Sequence, residues 1–117
     1  GGVLYLSVPF LYPIHDAPYD FQRFTRYGLD AMVTQAGLRV LGIENKTGSI
    51  HAAGALACLA IAGALSRGGW KALLLPVAAV LVFLINVSAF TFGLFWPNWD
   101  AMTFGYSLKA VKPDSDE

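Results

Sequence analysis

Residues 50–97 carry only two charged side chains, Arg67 and Lys71, and both fall in one short turn. On either side of that turn the chain is continuously apolar. Residues 52–65 are 14 positions without a charged or strongly polar side chain, half of them alanine. As a helix they run about 21 Å, short of the roughly 30 Å hydrocarbon core of a bilayer. Residues 72–96 are 25 uncharged positions, about 37 Å as a helix, which is enough for a tilted crossing. Trp70 stands at one end of this run and Trp96 and Trp99 at the other, where an interfacial aromatic belt lies. Pro76 falls near the start of the second helix, where proline is tolerated. Gly54, Cys58, Ala62 and Ser66 place a small residue at every fourth position of the first helix, a stripe that allows close helix packing. The sequence therefore predicts a hydrophobic helical hairpin over residues 50–97, seeking a membrane or a large apolar partner.

The rest of the chain reads as soluble α/β protein. Charged residues make up 14% of the 117, against roughly 25% in an average soluble domain, and the deficit lies in the hairpin. Eight basic and eight acidic residues balance, so charge gives no reason to expect a nucleic-acid partner. Cys58 is the single cysteine, which excludes an internal disulfide and a multi-cysteine metal site. Its thiol, set in an apolar run, reads as inert packing.

Val3–Pro9 is a β-rich run with apolar residues on both faces, the pattern of a buried strand of the parallel type. Pro9 and Pro13 disfavour ladder and helix alike, so residues 10–19 form a loop. Thr25 suits a helix N-cap, and Leu29, Met32, Val33 and Ala36 share one helical face. Gly37 suits the left-handed position that ends such a helix. Residues 38–44 resume a strand, residues 45–48 punctuate it, and residues 103–111 alternate well enough for one more strand. Strand, loop, helix and strand in that order make half of a doubly wound α/β unit. Three segments result: residues 1–49, the hairpin insertion over 50–97, and residues 98–117 with a final strand and an acidic, solvated tail. The opening Gly1-Gly2, with neither initiator methionine nor signal pattern, reads as the start of a C-terminal piece of a larger protein.

The chemistry is concentrated between Val8 and Thr25, where Tyr12, His15, Asp16, Tyr19, Asp20 and Arg23 follow the carboxyl end of a strand. Open α/β sheets bind their ligands at that end. Gly1-Gly2, a strand ending in Ser7-Val8-Pro9, and a loop with His15 and Pro18 come first. Asp20-Phe21-x-Arg23-Phe24-Thr25, Gly28-Leu29 and Ala36-Gly37-Leu38 follow. Together they resemble the C-terminal half of class I S-adenosylmethionine-dependent methyltransferases. The likeness is to the type 11-like branch associated with polysaccharide and glycolipid biosynthesis. It covers about residues 1–49 and 98–113, and the hydrophobic insertion departs from the family pattern.

The resemblance implies a Rossmann-like sheet in which this half supplies the fifth strand, a helix, the sixth strand, and a last antiparallel strand between those two. Gly105-Tyr106-Ser107-Leu108-Lys109-Ala110 suits that last strand. It also implies S-adenosylmethionine as cofactor, bound mainly by an N-terminal half. The family's glycine-rich cofactor loop and its ribose-binding acidic residue have no counterpart in this chain, so the chain alone is expected to be inactive. Within this frame His15 is the candidate general base, since histidine titrates near neutrality; otherwise it bonds loop backbone and shapes the pocket. Tyr12, Tyr19, Asp20 and Arg23 are the candidate substrate-binding residues. Asp20 and Arg23, three apart, either pair across one helical turn or leave Arg23 to grip an anionic group. Tyr12 and Tyr19 either line a sugar or lipid-head pocket or wedge the loop against the helix. His51, at the mouth of the apolar run, reads as interfacial. Two histidines without a spaced acidic cluster give no metal site.

Because the flanking strands must share one sheet, both ends of the hairpin lie on one side of any membrane. With a cytoplasmic catalytic face, Arg67 and Lys71 would cross, against the positive-inside tendency. A spanning hairpin, one dipping into a single leaflet, and an apolar pair buried against protein all remain open on sequence grounds. The expected function is methyl transfer to a glycan, lipid-linked or other small-molecule acceptor by a membrane-associated enzyme. Two rivals are a non-enzymatic membrane adaptor with a degenerate methyltransferase fold and a small integral membrane protein that folds alone.

Overall fold

The computed structural model describes residues 1–66 and 68–113, which form two units, Gly1–Thr47 with the chain from Thr103 onward, and Gly48–Met102. The first unit contains strands β1 (Val3–Pro9), β2 (Arg39–Asn45) and β3 (Gly105–Val111), with helix α1 (Arg26–Gln35) joining β1 to β2. The sheet order is β1-β3-β2, and β3 runs antiparallel to both neighbours, so β1 and β2 point the same way. The register runs from Val3 opposite Val111 to Pro9 opposite Gly105 on one side, and from Arg39 opposite Val111 to Asn45 opposite Tyr106 on the other. A bulge at Leu41 breaks the second ladder between Val40 and Gly42. The chain is a mixed α/β protein with a three-stranded antiparallel sheet.

Helix α1 forms where its end signals place it. Thr25 Oγ1 accepts from the Gly28 amide at 3.1 Å, satisfying one of the unpaired donors of the first turn. At the other end Gly37 takes φ +80°. The Leu38 amide donates to Val33 O and the Gly37 amide to Thr34 O, a Schellman closure that only glycine adopts without strain. Leu29 and Val33 are buried against Ile43, Tyr106, Leu108 and Ala110 of the sheet. Each fully buried leucine here contributes about 1.5–3 kcal/mol. Met32 and Ala36, expected on the same face, are exposed, because a ten-residue helix over three strands buries only its central i, i+4 pair.

β1 differs from the expectation of a strand buried on both faces. Leu4, Leu6 and Val8 turn toward the core, while Val3 and Tyr5 are 54% and 71% exposed on the other face. Among the described residues no helix covers that face, where Lys109 Nζ sits 5.4 Å from the Tyr5 ring centre. Two threonines tie the ends of β2 and β3. Buried Thr103 accepts from the Thr47 amide at 3.2 Å and donates to Gly105 O at 3.1 Å, and Thr47 Oγ1 accepts from the Phe104 amide at 3.0 Å.

The second unit is an antiparallel hairpin of α2 (Ser49–Leu65) and α3 (Leu75–Phe95), with a short 3-10 helix over Gly69–Leu74 before α3. α2 starts three residues earlier than the apolar run, because Asn98 reaches across from the far end of the hairpin. Its Oδ1 accepts from the Ser49 amide at 2.8 Å, and Ser49 Oγ accepts from the Trp99 amide at 3.1 Å. At 17 residues, about 25 Å, the first helix reaches the lower limit of a spanning length. Gly54 faces the Ala89 methyl group and Gly93 faces the His51 ring, so close that a Cβ at either glycine would collide. Cys58 Sγ accepts from Asn86 Nδ2 at 3.3 Å. The upper half of the small-residue stripe therefore meets α3, while Ala62 and Ser66 are exposed. Arg67 lies outside the described residues.

Candidate functional site

With β1 and β2 parallel, their carboxyl ends reach the same edge of the sheet, where β3 begins. A pocket of about 420 Å3 opens there, lined by Ser7, Val8, Pro9, Tyr12, His15, Lys46, Thr47, Phe104 and Gly105. Gly105 is fixed by crowding: a side chain there would run into the carbonyl of Val8. The Phe10 amide donates to Phe104 O at 2.7 Å, which pins the start of the loop to the entry of β3. Tyr12 is held edge-on between His15 and Phe104, with ring centres 5.3 and 5.9 Å away.

After His15 the chain turns back on itself. Asp16 has φ +52°, the Tyr19 amide donates to Asp16 O at 2.8 Å, and the Ala17–Pro18 bond in that turn is cis. The turn returns Asp20 beneath His15. Asp20 Oδ2 accepts from the His15 amide at 3.1 Å and lies 3.3 Å from His15 Nδ1. Both carboxylate oxygens also accept from the Arg23 guanidinium, and Arg23 Nη2 donates further to Pro13 O. The Asp20 side chain is 8% exposed and that of His15 51%. An imidazole that donates from Nδ1 to Asp20 keeps its lone pair on Nε2, ready to accept a proton.

Of the residues singled out in the sequence, Tyr12 and His15 line the pocket, and Asp20 and Arg23 stand behind His15 as an ion pair. Tyr19 is 76% exposed and is not among the lining residues. Ser7, Lys46, Thr47 and Phe104 belong to the site and were not singled out. Their only signal is topological, since they flank strand ends that meet only once the sheet has formed. Lys46 Nζ donates to Ser7 Oγ at 2.8 Å across that edge. Among the described residues no group of three or more His, Cys, Asp or Glu side chains could hold a metal ion.

The hydrogen bonds from the Arg23 guanidinium, then the bond from the His15 amide, hold the Asp20 carboxyl well below the ordinary carboxylate range, and the same pair raises Arg23. A depressed carboxyl pKa favours the folded loop in its ionised form. That stabilisation is complete above the ordinary aspartate value of about 3.9 and is lost only as pH falls through the lower folded value. We expect the Asp20 carboxyl carbon, followed by NMR, still to report an ionised group at about pH 4, with the loop ordered. A midpoint in the ordinary aspartate range contradicts the pairing.

Comparisons with protein-family models, with curated proteins and with solved structures return no match for this chain.

Proposed function

We propose that this chain is the C-terminal part of an S-adenosylmethionine-dependent methyltransferase, associated with a membrane and with its catalytic face cytoplasmic. Its acceptor is a glycan, a lipid-linked molecule or another small molecule. The observation that carries the reading is the strand order β1-β3-β2 with β3 antiparallel between two parallel strands. It agrees with the arrangement of the last three strands implied by the resemblance around residues 1–49 and 98–113. The outer edge of β1 has no strand partner among the described residues, as expected of a strand that continues into a larger sheet. The apolar stretch Gly69–Phe95, long enough to cross a bilayer and 6% buried over its most apolar window, supports the membrane part of the reading.

The residues of this chain do not fit a cradle for the methyl donor. Its glycines with positive φ, Gly37, Gly68 and Gly69, lie next to helix ends rather than in a loop after a strand. S-Adenosylmethionine supplies the methyl group when bound, and residues outside this chain hold it. What these residues do is receive the acceptor. Tyr12 and Phe104 offer aromatic walls, His15 Nε2 accepts the proton of an acceptor hydroxyl, and Asp20, held by Arg23, fixes the imidazole through Nδ1. Calorimetric titration with S-adenosylmethionine tests the assignment. The full-length protein is expected to bind it, and residues 1–117 alone are not. A full-length protein that fails to bind overturns the reading in favour of a membrane adaptor.

A further inference from the structure

The role given to His15 leaves Lys46 without a task, although the structure places this exposed residue at the pocket's edge. Its amide donates to Gly105 O at 3.0 Å, which extends the β2–β3 ladder by one bond and locks the residue at the rim. Its ammonium meets one neutral acceptor, Ser7 Oγ. Among the described residues it forms no ion pair. The nearest acid in sequence, Glu44, lines a different depression with Lys109, and Asp20, behind the loop, already has its charge matched by Arg23. The pocket lining thus holds one lysine, no carboxylate, the hydroxyls of Ser7, Tyr12 and Thr47, and the His15 ring.

We propose that Lys46 and Ser7 form an anion subsite that holds a phosphate group of the acceptor, as a phosphate monoester or diphosphate. This rests on the methyltransferase reading only for the word acceptor. An ammonium is a compact point charge with three donors, suited to an oxyanion that offers several terminal oxygens. Arrival of the anion replaces an ammonium–hydroxyl hydrogen bond at Nζ with an ion-paired ammonium–phosphate one, while Ser7 Oγ becomes free to donate to the same group. At about 420 Å3 the pocket is of the size that encloses small-molecule ligands, so a sugar attached to the phosphate can extend toward Tyr12 and His15.

The test uses the full-length protein in phosphatidylcholine nanodiscs, with inorganic pyrophosphate as the calorimetric probe. Wild type is expected to bind, more weakly as salt is raised, and Lys46→Gln to bind about ten- to a hundredfold less tightly. Lys46→Arg keeps most of the affinity. Its retention also shows that position 46 tolerates substitution with the fold intact. The two sources of phosphate separate in a second arm with vesicles. A Lys46-dependent gain in binding when phosphatidic acid is added to phosphatidylcholine assigns the group to a lipid headgroup. Lys46-dependent pyrophosphate binding without that gain assigns it to a soluble ester. Absence of binding, or equal affinity of wild type and Lys46→Gln for both probes, overturns the subsite. A protein that binds pyrophosphate through Lys46 but not S-adenosylmethionine keeps the subsite and sinks the methyltransferase reading.

Discussion

On the proposed methyltransferase reading, replacing His15 by glutamine is expected to lower methyl transfer by the full-length protein by about 10²- to 10⁴-fold, the range in which a positioned general base acts. Glutamine preserves much of the side-chain volume and can still donate to Asp20 Oδ2, the partner 3.3 Å from His15 Nδ1. It cannot accept a proton. Turnover falls with little change in the acceptor KM, the signature of an interaction made in the transition state rather than in binding. Asp20→Asn acts one step back, through orientation. It leaves Arg23 with half its partner and His15 free to turn, so turnover falls less than with glutamine at position 15. A His15→Gln enzyme with unchanged turnover and weakened acceptor binding reduces His15 to a wall of the pocket.

His15 and Tyr12 were legible in the sequence because they follow the carboxyl end of a strand that announces itself, Val3–Pro9. The helix after them was legible for the same kind of reason. Thr25 and Gly37 act on backbone groups within a few residues of themselves, so their effect does not depend on the rest of the fold. What escaped is long-range. Lys46 and Ser7 are 39 apart in sequence and meet only because β3 slots between their strands. Ser49 starts α2 early because Asn98, 49 residues away, supplies the cap that Gly48 has no side chain to supply. The bulge at Leu41 moved the second strand by one residue relative to its apolar pattern. Met32 and Ala36 satisfied the helical period and still stayed exposed, since periodicity says which residues share a face and not how wide a surface awaits them.

The hairpin presents the same division. Its helices followed from composition, and its packing partly from the four-residue spacing of small residues. Asn86 and Thr91, two of the three polar side chains on α3 beside Ser88, bond back to Val82 O and Val87 O at 2.8 and 2.9 Å. Back-bonding of this kind satisfies those two side chains within the helix, as a medium without water requires. Meanwhile Phe83, Phe90, Phe92 and Leu94 are each more than 60% exposed, apolar area far beyond the scattered surface hydrophobics of a soluble domain.

Arginine at both Phe83 and Val87 is therefore expected to release the full-length protein from membranes. The two positions lie one turn apart near the middle of α3, 65% and 45% exposed, and neither lines the groove between the two helices. At the centre of a bilayer each arginine costs about 2.5–3.5 kcal/mol on the insertion scale, about 5–7 for the pair. A change of that size shifts partitioning by more than about 10³-fold. In flotation with phosphatidylcholine vesicles the wild type rises and the double variant stays at the bottom, while arginine at Trp96, at the end of the helix, has little effect. A solvent-facing helix would tolerate both arginines within about 0.5 kcal/mol, and a wild type that never floats overturns membrane association. Depth is read on the same preparation after Cys58→Ser, a replacement that keeps a partner for Asn86. With Trp70→Cys as the sole thiol of residues 1–117 and any other cysteine of the full-length protein replaced by serine, labelling by an impermeant maleimide from the side opposite the sheet means that the turn has crossed, and Lys71 with it. Labelling from the sheet's own side means that the hairpin dips into one leaflet and returns, and the positive-inside tendency is then obeyed rather than broken.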